Sequence, residues 1–167
     1  MKFTVECGGF DGLVLMDQSY LDEMNSELLY SMDTLLDHYG KSELIFDFSK
    51  ENWDIVRERE SKAIKNFCNC GKMIVCLLPN GDQQGEFKMV DELLGSLKWL
   101  RMPTGKLLAV TASELIQCVS YPDLEMEKVF ELQLEKGWYA ISISSKGEIF
   151  CSPKTSPIYP FENIQEY

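Results

Sequence analysis

The sequence predicts a single α+β domain, residues 1–167, in which a mainly antiparallel β-sheet or sandwich carries one long helix and one or two shorter helices. Three observations lead to this expectation. The chain has 167 residues, the size of one domain. Hydrophobic residues make up 45% of it, which favours a folded chain over a disordered one. Short alternating segments outnumber helical ones, without the regular strand–helix alternation of nucleotide-binding folds.

The N-terminal segment predicts a β-hairpin. Residues 3–7 alternate apolar and polar side chains, residues 8–12 are rich in glycine, and residues 13–16 are apolar. A phosphate-binding loop would need a helix N-terminus directly after its glycines, whereas the segment that follows here reads as extended. We therefore expect the glycines to form a turn.

A long amphipathic helix is predicted between Ser19 and Gly40. Ser19 and Asp22 match a capping box, and Gly40 suits the position just after a helix end. Apolar residues recur at three- and four-residue spacing: Leu21, Met24, Leu28, Met32, Leu35 and Tyr39. The outward face then carries an acidic stripe, formed by Glu23, Glu27, Asp33 and Asp37.

The middle of the chain predicts strands on both sides of a second helix. Residues 44–48 and 73–78 are typical of short strands, the second of them buried and closed by a turn at residues 79–82, and a further strand is expected at 87–90. The helix is expected at residues 52–66 with Ser49 as its cap. Its inward face would carry Trp53, Val56, Ala63 and Phe67.

The C-terminal half is predicted to consist mostly of hairpins. Residues 97–102 and 106–110 flank Pro103-Thr104-Gly105, and residues 127–134 and 138–144 alternate around a connection at 135–137. Residues 113–118 predict a helical turn, and residues 145–148 another chain reversal before 149–151. The prolines at 153, 157 and 160 favour an extended tail, residues 152–167.

Charge limits the partners of this chain. It has 27 acidic residues against 16 Lys and Arg, a formal net charge of −11. Nucleic acid and anionic membranes are not expected to bind, because they require clustered cations, and the basic stretch at residues 57–65 is interleaved with Glu58 and Glu60. The surplus serves either solubility or attraction toward a basic protein.

The cysteines and the lone histidine predict no catalytic centre, metal site or cofactor. No apolar leader follows Met1, so we expect six reduced thiols in a cytoplasmic protein. His38 falls in the last turn of the long helix, where an imidazole interacts favourably with the helix dipole. Cys68 and Cys70, with Cys76 beyond them, lack the usual spacing of two zinc-ligand pairs.

The segment Phe130-x-Leu132-x-Leu134-x-x-Gly137-x-Tyr139-x-Ile141-x-Ile143 resembles the closing hairpin of small acidic bacterial inhibitors. These include the competence-associated nuclease inhibitor family and immunity families encoded beside polymorphic toxins. Residues 100–108 and Gly8-Gly9 are similar to segments of some of those immunity families, and the likeness covers about a third of the chain. It implies a protein that blocks a toxin enzyme, such as a nuclease, by occupying its site.

The sequence therefore predicts a non-enzymatic binding protein, in the manner of an immunity protein, with Glu23, Glu27, Asp33 and Asp37 as contact residues for a basic partner. Two alternatives remain open: a structural or regulatory module with another partner, and an enzyme whose site is assembled from scattered residues. The sequence leaves the identity of the partner, the strand order and the oligomeric state open.

Overall fold

The computed structural model describes residues 1–5, 12–38, 55–76, 83–93, 98–127, 129–144 and 146–154. It has an α+β fold, which confirms the predicted class. Two sheets are formed: a five-stranded sheet of order β1-β4-β9-β8-β5 and a four-stranded sheet of order β3-β2-β6-β7. The strands are β1 (Lys2–Val5), β2 (Leu13–Asp17), β3 (Met73–Cys76), β4 (Gln83–Met89), β5 (Lys98–Met102), β6 (Lys106–Thr111), β7 (Val129–Gln133), β8 (Gly137–Ile143) and β9 (Glu148–Lys154). All described strand pairs are antiparallel except β4 with β9.

The helices form a third layer on the four-stranded sheet. A 3-10 helix, Gln18–Glu23, precedes α1 (Ser26–His38), and α2 (Ile55–Glu60), α3 (Lys62–Asn69) and α4 (Ala112–Ser120) follow. Within the described ranges three shorter α-helices accompany the long one, where one or two were expected. Helix α3 contacts β3, α4 contacts β6, and α1 contacts both α3 and α4. Because β3 and β6 lie on opposite sides of β2, α1 lies between α3 and α4. None of the helices in the described ranges has the length and apolar character that crossing a membrane requires.

Strand β2 shows how the layers are held together, because all five of its residues are buried. Leu13 and Leu15 point into the core between the sheets, together with residues such as Leu100 and Ile141. Val14 and Met16 point into the core under the helices. A strand with apolar layers on both faces has no polar alternation, as its sequence shows.

The predicted start of the long helix is wrong. The Asp17 carboxylate, not Ser19, caps the 3-10 helix by accepting the Ser19 N–H at 2.9 Å. Helix α1 begins only at Ser26, where the Asn25 side chain accepts the Leu28 N–H at 2.9 Å. The predicted inward positions Met24, Leu28 and Met32 are buried, as expected. A polar side chain caps each of these two helices, but the spacing did not show which residue it would be.

Three of the predicted hairpins are arches that cross between the two sheets. Strands β1 and β2 belong to different sheets, and so do β5 and β6, and β7 and β8. Turn residues and alternating side chains serve both arrangements equally, because each reverses the chain and buries one strand face. The predicted turn before β9 is confirmed, since β8 and β9 pair in register and Gly147, at φ 81, donates its N–H to the Ser144 carbonyl.

The other predicted elements agree only in part. The second helix divides into α2 and α3 at the buried Ser61, and Val56 is 51% exposed rather than inward-facing. Ala63 and Phe67 pack against the core under the helices as expected. Strand β9 continues to Lys154, three residues into the predicted tail. The predicted strand at 44–48, Ser49, Trp53, the turn at 79–82 and residues 155–167 lie outside the described residues.

Candidate functional site

The four carboxylates predicted to form one stripe do not share one helix. Glu23 ends the 3-10 helix, and Glu27 lies in the first turn of α1; both residues are exposed. Asp33 and Asp37 belong to the α1 backbone, but their side chains, like that of His38, lie outside the described part of the structure. The prediction that Glu23 belongs to the long helix is wrong, because Met24 and Asn25 are not helical and separate the 3-10 helix from α1.

Glu23 carries a charge that the structure already balances. Its Oε1 lies 2.7 Å from the Nζ atom of Lys72, in a partly exposed ion pair. The same ammonium group lies 5.6 Å from the centroid of the Tyr20 ring and 5.5 Å from that of Phe67. These contacts tie the 3-10 helix to the connection between α3 and β3. Glu23 is therefore less available to a partner than the stripe suggests.

Helix α4 and the segment after it supply acidic residues that the sequence reading did not single out. Residues 112–127 contain four acids, and neither they nor residues 12–38 contain a lysine or arginine. Because α1 contacts α4, the two helices that carry these segments are neighbours. We use the name acidic surface for the acids of these two segments whose side chains are described and not buried: Asp22, Glu23, Glu27, Glu114, Asp123, Glu125 and Glu127. The signal in sequence was the base-free composition of both segments.

The opposite side of the helical layer has the other sign of charge. Helix α3 carries Lys62 and Lys65, and α2 ends next to it with Arg59 and Glu60. Since α3 and α4 flank α1 on opposite sides, the lysines of α3 and the acids that follow α4 lie on opposite sides of α1, whereas Glu23 lies near α3 through its pair with Lys72.

The segment that follows α4 is held in a defined conformation. The Tyr121 N–H donates to the Gln117 carbonyl and the Leu124 N–H to the Tyr121 carbonyl, both at 2.9 Å. The Glu127 N–H donates to Oε1 of Glu114 at 3.1 Å, which returns the chain to the start of α4. The acids of this segment are therefore presented on a fixed turn.

The described thiols are not arranged as nucleophiles or ligands. Burial raises the pKa of Cys68 to about 12, and it also raises the pKa of Cys70, which lies next to Lys72 and Glu23. Burial and the Glu114 carboxylate raise the pKa of Cys118. A protonated thiol is a poor nucleophile and a poor metal ligand. Among the described residues, no group of three or more His, Cys, Asp or Glu is placed to hold a metal ion.

Asp17 is a buried carboxylate whose hydrogen bonds give it a structural role. It is fully buried, and its two oxygens accept hydrogen bonds from Ser19, Thr104 and Gly105. The sequence did not mark Asp17 as a special residue, because it directly follows the four apolar residues of β2. All of its described donors belong to the chain itself, so the arrangement fixes the β5–β6 arch.

Comparison of the chain with protein-family models, with curated proteins and with solved structures found no match.

Proposed function

We propose that this chain is a non-enzymatic binding protein that engages a basic protein through its acidic surface. The observation that carries the proposal is the pairing of two base-free segments on adjacent helices. Residues 12–38 contain six acids and residues 112–127 contain four, and α1 packs beside α4. Asp17 is buried and does not contribute to this surface.

Electrostatic attraction is the mechanism that suits such a surface. Clustered charge of one sign raises the association rate of an oppositely charged partner more than it lengthens the life of the complex. Such attraction between exposed groups is screened over about 10 Å at 0.1 M salt. Binding through the acidic surface should therefore weaken as salt rises.

A narrower form of the proposal makes the partner a cytoplasmic toxin enzyme, such as a nuclease, and this chain its immunity protein. Two observations support it: the resemblance of residues 130–143 to the closing segment of acidic inhibitors, and the net charge of −11. An enzyme that acts on a polyanion lines its cleft with Lys and Arg. An acidic surface on a fixed scaffold can occupy such a cleft and exclude the substrate.

The test compares two variants with the same change in net charge. Glu27→Lys with Glu125→Lys reverses charge on the acidic surface, whereas Glu92→Lys with Glu135→Lys reverses two exposed carboxylates in the segments that follow β4 and β7. Each purified chain is immobilised and exposed to an extract of the cells that produce it. Retained proteins are eluted as NaCl rises from about 50 mM to about 500 mM.

We expect a basic protein to be retained by the wild type and by the Glu92/Glu135 variant and lost from the Glu27/Glu125 variant. Its association rate constant, measured on the purified pair, should fall more than its dissociation rate constant rises. Equal retention by both variants would overturn the proposal. The narrower form requires in addition that the retained protein is toxic when expressed alone and that co-expression of the chain relieves this toxicity. A retained protein that is not toxic, or whose toxicity the chain does not relieve, rejects the narrower form.

A further inference from the structure

Two large apolar side chains project from the acidic surface. Tyr121 is 64% exposed and Leu124 is 47% exposed, and both belong to the turn that follows α4. Met126, two residues beyond Leu124, instead packs against the core under the helices. Met126 therefore attaches this segment to the core, and the side chains of Tyr121 and Leu124 are not needed for that contact.

The turn presents these side chains in a fixed arrangement. The Leu124 N–H bonds to the Tyr121 carbonyl, and the Glu127 N–H is held by the Glu114 carboxylate. Pro122 further restricts the backbone between them. A turn that is ordered before binding loses little conformational entropy when it binds, so more of the burial energy remains for affinity.

The charges beside this turn indicate what covers it. Asp123 lies between the two apolar residues, and Glu125 and Glu127 follow, all exposed. Within the chain, Lys128 directly follows this turn, the lysines of α3 lie on the other side of α1, and residues 6–11, 39–54, 77–82, 94–97 and 155–167 each have no more bases than acids. A second copy would bring another net charge of −11. The complement is therefore a different, basic protein.

We propose that Tyr121 and Leu124 insert into an apolar pocket ringed by Lys and Arg side chains on a folded basic protein. This inference rests on the proposed function and names the residues that contribute most of the affinity for the basic protein. Exposed tyrosines at the centre of an interface often dominate affinity, while the surrounding charges set orientation and association rate. The exposed carboxylates of the acidic surface then steer the encounter, and the turn after α4 holds the complex.

The test places a photoreactive residue at the turn. Benzoylphenylalanine replaces Tyr121 in one full-length chain and Met89, which is 50% exposed on β4, in a matched control. Both chains are irradiated in the cells that produce them, and adducts are identified by mass spectrometry. Unchanged melting temperatures establish that both chains fold.

We expect position 121, but not position 89, to cross-link to a basic protein at an apolar residue flanked by Lys or Arg. Adding Asp123→Lys should abolish the adduct. In capture experiments, Tyr121→Ser and Leu124→Ser should each lower the affinity for that protein about tenfold, and Met89→Ser should leave it unchanged. An adduct to a second copy of the chain, to lipid or to nucleic acid overturns the inference, as does no adduct.

The two proposals fail differently. If a basic protein is retained in a manner that depends on Glu27 and Glu125, but position 121 gives no adduct and Tyr121→Ser binds normally, the inference about the turn is wrong and the proposed function stands. If no basic protein depends on the acidic surface, both are wrong.

Discussion

The carboxylate of Asp17 accepts two hydrogen bonds from Thr104, one from its backbone N–H at 3.1 Å and one from its hydroxyl at 2.8 Å. Asp17 ends β2 in the four-stranded sheet, and Thr104 lies in the arch between β5 and β6. The same carboxylate accepts the Gly105 and Ser19 N–H groups at 3.0 and 2.9 Å. One buried side chain thus fixes both the crossing between the sheets and the start of the 3-10 helix.

Asp17→Asn should destabilise the fold by roughly 2–3 kcal/mol, since hydrogen bonds to a charged acceptor contribute about 1.5–3 kcal/mol each. The amide is nearly the same size, but its NH₂ group cannot accept from the donors that face it. Urea unfolding measures the loss. Asp22→Asn is the control, because Asp22 is exposed and its change should stay within about 0.5 kcal/mol. Equal effects at the two positions would contradict the role assigned to Asp17.

Gly105→Ala should be more damaging than Gly137→Ala, although both glycines have positive φ, 79° and 146°. A Cβ at Gly105 would overlap the carbonyl oxygen of Leu134, whose N–H donates to the Gly105 carbonyl. A Cβ at Gly137 meets nothing within 4 Å. Both variants carry backbone strain of about 1–3 kcal/mol, and only Gly105→Ala adds a steric clash. Similar midpoints in thermal unfolding would show that the arches do not pack as closely as described.

Tyr20→Phe should leave stability unchanged or raise it by up to about 1 kcal/mol. The Tyr20 hydroxyl is buried and has no hydrogen-bond partner among the described residues, and an unsatisfied buried hydroxyl costs about 1–3 kcal/mol. The ring itself packs edge-on against Phe67, with centroids 6.0 Å apart, so Tyr20→Leu should be destabilising. A loss above about 1 kcal/mol in Tyr20→Phe would show that the hydroxyl is bonded after all.

Local elements were more predictable than the way they assemble. The apolar run in β2 and the spacing of Met24, Leu28 and Met32 identified buried positions, because burial on a strand or helix follows its own period. The pairing of strands was not predictable from residues 103–105 or 135–137, since a hairpin and an arch need the same reversal. The Asp17 carboxylate holds the arch between β5 and β6, and the arch residues that donate to it, Thr104 and Gly105, are 87 and 88 residues away in sequence.

The acidic surface was predictable in kind but not in place. The net charge and the predicted stripe of Glu23, Glu27, Asp33 and Asp37 pointed to the first third of the chain. The contribution of residues 112–127 depends on the packing of α4 beside α1, which no local pattern encodes. The pairing of Glu23 with Lys72 likewise joins residues 49 positions apart. Long-range contacts therefore decide which charges are neighbours and which are paired within the chain.

The stability of the protein should fall as the pH rises above about 9, and Cys151 should account for part of that fall. Cys151 is fully buried on β9, and burial raises the pKa of its thiol from 9.0 to about 12. Below pH 9 both the folded and the unfolded chain keep this proton. Between pH 9 and 12 only the unfolded chain releases it, which favours unfolding by about 1.4 kcal/mol per pH unit.

Cys151→Ala is less stable at neutral pH because it leaves a cavity. The difference in unfolding free energy between wild type and Cys151→Ala should shrink by about 1.4 kcal/mol per pH unit above pH 9. Urea unfolding of both chains under reducing conditions at pH 8, 9, 10 and 11 measures the difference, and a constant gap across this series would show that the thiol ionises as readily in the folded chain as in the unfolded one.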